Sequence, residues 1–141
     1  MLGLAATAAC GGQPSSGVAP APATPEATVT QFLTATNAGD LEAMGRLWGD
    51  EKGPVPANNE TERQQRNQRL TIMQRLLRND SHQITETSVA DPARPVLTVA
   101  MSQGTRRFAV PFTLVQPRSG GWLITDIGLE AAMPAAGPRT P

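Results

Sequence analysis

The stretch 107–127, RFAVPFTLVQPRSGGWLITDI, decides the fold. In its first nine residues Phe108, Val110, Phe112 and Leu114 alternate with Ala109, Pro111 and Thr113, the period of two that belongs to a half-buried strand. Pro111 has no N–H to give to a ladder, so the strand must carry it at an edge or at a bulge. The run Pro117-Arg118-Ser119-Gly120-Gly121 supplies a turn, and residues 122–127 return as a second strand.

Upstream, the same period continues. Residues 96–102 and 82–90 read as two further strands, with Gln103-Gly104-Thr105 as the turn between residues 96–102 and the strand at 107–115. Before residue 80 the period changes to that of a helix. Residues 61–78 are good helix formers without glycine or proline, opened by a capping box at Thr61-Glu62-Arg63-Gln64. This helix is polar until Leu70 and amphipathic from there through Met73, Leu76 and Leu77, so its first half is expected to face solvent or a partner. Residues 49–59, with Gly53-Pro54 and Pro56, read as a loop.

Two helices precede that loop. Thr24-Pro25-Glu26 combines a hydroxyl cap, a first-turn proline and an acid at the positive end of the helix dipole. Val29, Phe32, Leu33 and Thr36 then line one face. Gly39 stops this helix, and Asp40 caps a short one with Leu41, Met44, Leu47 and Trp48 on its buried side. Helices followed by a strand meander define an α+β class, with about four antiparallel strands and three N-terminal helices.

The ends have a different composition. Residues 1–9 are uncharged and small or apolar, too short to span a bilayer core of about 20 residues. They resemble the end of a secretory signal peptide, and Ala8-Ala9-Cys10-Gly11 resembles the lipoprotein cleavage site at which the cysteine thiol is lipidated. Thr7 stands where a leucine is usual, and no positively charged n-region precedes it, which points to a start upstream of Met1. The alternative is an incidental cysteine in a disordered N-terminus. Residues 11–24 are rich in glycine, serine, alanine and proline, the composition of a tether. The expected organisation is therefore a partial signal peptide at 1–10, a linker at 11–24, a folded domain at 25–132 and a disordered tail at 133–141.

Twelve basic and twelve acidic residues among 141 balance, which removes the electrostatic case for nucleic acid as a partner. One cysteine allows no intramolecular disulfide. One histidine and that cysteine cannot build the nitrogen and sulfur sites that zinc prefers, so no metal and no cofactor is expected. Arg63, Arg66 and Arg69, with Arg75 and Arg78 beyond, make a basic stripe on the third helix. It reads as a solvated face, or else as an anionic-lipid or nucleic-acid patch, although no aromatic residue is interleaved with it.

The order of elements, with Ala38-Gly39-Asp40-Leu41 at the first helix junction and a closing strand Trp122-Leu123-Ile124-Thr125-Asp126-Ile127, resembles the nuclear transport factor 2-like superfamily. Within it, the chain is similar to small bacterial lipoproteins of unassigned function. The resemblance covers residues 25–129. It implies a curved antiparallel sheet wrapped by the helices into a cone with an apolar interior, and it implies no particular activity. The strand pair that the superfamily carries between its second and third helices is replaced here by the loop at 49–59.

Enzymes of that superfamily often place a histidine, aspartate or tyrosine inside the cone. By that resemblance His82 with Asp126 or Asp91 is the candidate acid–base pair. Asp126 alternates with Trp122 and Ile124, so it is either inward with the core or a surface acid. Met44, Trp48, Leu97, Met101 and Phe112 either line a pocket for a small apolar ligand or fill it, and Trp122 raises the same alternative. The expected function is a non-enzymatic binding or protein-interaction module of the cell envelope, attached to a membrane through lipidated Cys10 on the non-cytoplasmic side. The alternatives are a small acid–base enzyme using His82 and Asp126, or an accessory subunit of an envelope complex.

Overall fold

The computed structural model describes residues 21–133. Cys10, the signal-like segment, most of the linker and residues 134–141 lie outside the described residues. Helix α1 spans Pro25–Ala38: Thr24 Oγ1 accepts from the Ala27 N–H, Pro25 occupies the first turn, and Gly39 ends the helix in the left-handed region at φ 69°. The next turn begins at once, because the Asp40 carboxylate accepts from the Ala43 N–H and caps α2, Leu41–Arg46.

The expected loop at 49–59 is in part a ladder. Strand β1, Gly49–Asp50, pairs antiparallel with β2, Gly53–Pro54. A Cβ at position 49 would come within 2.2 Å of the Gly53 carbonyl oxygen, so only glycine lets the two strands approach. Two-residue strands leave no period to read, which is why this pair was invisible as a pattern.

Helix α3 spans Glu60–Leu77 and is capped two residues earlier than the Thr61 box predicts. Asn59 Oδ1 accepts from the Glu62 N–H at 2.9 Å, and the Glu62 carboxylate turns back to the Asn58 N–H at 2.8 Å. Asparagine is as good a cap as threonine, and Asn59 and Glu62 have the cap-to-third-residue spacing.

The remaining strands, β3 Ser81–Ser88, β4 Val96–Gln103, β5 Arg106–Val115 and β6 Leu123–Ile127, form one antiparallel meander in the order β3-β4-β5-β6. The structure is α+β, with three helices preceding a four-stranded antiparallel sheet. Strand β5 lies inside the sheet, and Pro111 is accommodated by local register. In an antiparallel ladder a residue's N–H and C=O point to the same neighbour, and the Pro111 carbonyl accepts from the Gly128 N–H at 3.0 Å. The missing donor therefore faces a point just past the end of β6.

Strand β6 carries a bulge. Thr113 pairs with Asp126 but Leu114 pairs with Ile124, leaving Thr125 as the extra residue. The exposed edge of β6 is covered in part by the chain leaving α2, where the Leu47 carbonyl accepts from the Ile124 N–H and Trp48 bridges to Ile124.

One face of the sheet carries the core. Leu97, Val99, Phe112, Leu114 and Ile124 meet Val29, Phe32, Leu33, Met44, Leu70 and Leu77 from the helices, all fully buried or nearly so. Phe32 and Phe112 meet edge-to-face with centroids 6.3 Å apart, an arrangement that contributes about 1 kcal/mol beyond burial.

Candidate functional site

His82 stands on β3 directly opposite Met101, which is itself opposite Phe108 on β5. All three belong to the core-facing side, and His82, on the edge strand, is half-buried at its margin. Its Nδ1 lies 3.1 Å from Asn79 Oδ1. An amide oxygen only accepts, so Nδ1 carries the hydrogen and Nε2 is left for other partners.

Neither candidate carboxylate reaches it. Asp126 is on β6, three strands away, which at ordinary spacing is about 14 Å before the further offset along the strands. The Thr125 bulge breaks the alternation that placed Asp126 with Ile124, so Ile124 and Ile127 face the core and Asp126 is exposed. Asp91 lies in the exposed connection after β3, where its carboxylate accepts from the Ala93 N–H. The expected acid–base constellation of His82 with Asp126 or Asp91 is not assembled.

The five pocket candidates are packing residues. Met44, Leu97 and Phe112 have no exposed surface and Met101 has 3%. Trp48 is half-buried against the same cluster, as is Trp122. Met44, Leu97, Met101 and Phe112 belong to one core cluster, with Trp48 packed against it.

The basic stripe on α3 is not a uniformly solvated face. Arg63 and Arg69 are exposed, whereas Arg66 is 7% exposed and folds under α2. Its guanidinium meets the Glu42 carboxylate at 2.7 Å, and a Cβ at Gly45 would lie 3.0 Å from it. Glycine at position 45 makes room for the arginine. Sequence spacing on one helix does not reveal that a second helix crosses it at this point.

Four surface concavities stand out among the described residues: one of about 590 Å³ across β3, β4 and β5 that includes His82, Met101 and Phe108, one of about 180 Å³ between Val55, Pro56 and the first half of α3, and two at the helices. A groove of about 420 Å³ runs between α1 and α2 over Ala35, Ala43 and Leu47, rimmed by Gln31, Asp40 and Arg46. A polar notch of about 400 Å³ opens where the ends of α1 and α3 meet the β4–β5 turn, lined by Asn37, Arg75, Arg78, Asn79, Asp80, Gln103 and Gly104. Sequence reading missed the notch because Asn37 and Asn79 look like helix punctuation. They meet only in three dimensions, where the Asn79 N–H donates to Asn37 Oδ1 at 3.0 Å.

Among the described residues no group of three or more His, Cys, Asp or Glu is placed to hold a metal ion, and no helix is long and apolar enough to cross a membrane. The chain matches no protein-family model, no curated protein and no solved structure.

Proposed function

We propose that this chain is a membrane-tethered lipoprotein of the cell envelope, held through lipidated Cys10, whose nuclear transport factor 2-like domain binds a partner at its surface. The observation that carries the reading is the filled interior. Met44, Leu97, Met101 and Phe112 close the space in which a cone-shaped enzyme or carrier would hold its substrate. The order of helix, helix, short ladder, helix and four-stranded meander supports the superfamily assignment. The β1–β2 ladder stands at the place in the chain where that superfamily carries its strand pair. The separation of His82 from Asp126 and Asp91 weighs against an acid–base enzyme, since both partners must reach one substrate.

The apolar fluorophore ANS tests the filled interior. It reports accessible apolar surface, so any saturable rise in emission below the unfolding transition is expected to arise at the surface groove and to persist when an interior residue is substituted. A saturable rise that vanishes on substituting Met101 or Phe112 would return the interior to ligand binding and overturn a surface-acting module.

A further inference from the structure

We propose that the polar notch between α1, α3 and the β4–β5 turn is a binding site for a small carboxylate, held by the guanidinium groups of Arg75 and Arg78. The site stands apart from the tethered-module reading and does not depend on it.

Arg75, in the last turn of α3, and Arg78, the residue that caps its C-terminus, line the same concavity. Basic side chains at a helix end commonly bond the last carbonyls or pair with a nearby acid. Here other side chains bond those carbonyls, and the acid in the notch is bonded to backbone through one oxygen. Gln103 Nε2 donates to the carbonyls of Leu76 and Arg78, and Asn79 Nδ2 donates to that of Leu77. Asp80, the acid in the notch, accepts from the Gly104 N–H at 2.6 Å. Among the described residues no carboxylate lies within ion-pair distance of Arg75 or Arg78, while Arg63, Arg66 and Arg94 each have one within 3.2 Å.

The walls are fixed before any ligand arrives. The Asn79 N–H is bonded to Asn37, the Asp80 N–H to the Ser102 carbonyl, and Gln103 ties α3 to the β4–β5 turn. Preorganised walls spare a ligand the cost of ordering them. Two arginines against one aspartate leave the notch a single net positive charge, matched to a carboxylate monoanion. A guanidinium binds a carboxylate through two parallel N–H donors, which favours arginine over lysine at such a site.

The test is titration of the 141-residue chain with sodium acetate and, separately, with inorganic phosphate, each against sodium chloride at matched ionic strength. Proton–nitrogen spectra would follow the arginine Nε–H groups and the backbone amides. Acetate is expected to give saturable shifts at Arg75, Arg78 and Gly104. The Arg75→Gln/Arg78→Gln double variant should weaken this binding by about tenfold or more, and Arg75→Lys should weaken it less. Both arginines are exposed, so the variants should retain the native spectrum elsewhere; if the double variant does not fold, either single glutamine variant should still weaken acetate binding. Shifts that merely track chloride, saturation that survives in the variants, or phosphate binding more tightly than acetate would overturn the assignment.

Discussion

Arg66 and Glu42 show how one contact reassigns a residue. The arginine is buried, its partner carboxylate is 60% exposed, and among the described residues the only other side-chain acceptor bonded to it is Asn67 Oδ1 at 3.4 Å. Removing the acid strands a cation whose hydration is already lost, whereas replacing the arginine with methionine keeps the volume and removes the charge. Glu42→Gln is therefore expected to cost about 1–2 kcal/mol, a modest figure because the exposed partner is partly screened by solvent. Arg66→Met should cost less. Urea unfolding of the two variants decides it, and a larger loss for Arg66→Met would mean that the pair itself stabilises the α2–α3 contact.

Helix α3 and strand β6 were legible as elements but not in detail. Two overlapping capping patterns precede α3, one from Asn59 and one from Thr61, and the structure uses the first. Asn59→Ala should lower stability by about 1 kcal/mol, while Thr61→Ala should stay within about 0.5 kcal/mol of the parent. Equal losses in thermal unfolding would place the cap elsewhere. In β6 a strict alternation put Asp126 with Ile124, and the extra residue at Thr125 undid it. A bulge depends on which partner residues β5 offers, so the five residues of the strand do not encode it alone.

At the scale of the whole molecule, address and architecture are separate questions. The proposed tether predicts that the chain expressed in a bacterium with its full leader loses every residue before Cys10 and gains lipid mass there, as intact-mass measurement would show. Cys10→Ser should then leave the membrane fraction for the soluble one. An unmodified cysteine in the intact chain would end the lipoprotein reading and leave the α+β structure untouched. That independence reflects the sequence, in which the signal-like segment and the tether carry composition while residues 25–132 carry period.

The sequence by itself determined the kinds of elements and their order. Helix caps at Thr24 and Asp40, the change of period after α3, and the turns before β5 and β6 depend on residues within a few positions of one another. Only the tertiary structure decided that Met44, Leu97 and Phe112 are buried in one core, that the strands of His82 and Asp126 lie at opposite edges of the sheet, that Arg66 lies beneath α2, and that Asn37, Arg75, Arg78 and Gln103 border one notch. Period and capping are short-range properties of the chain. Register, burial and the meeting of Asn37 with Asn79 depend on which distant surfaces pack together.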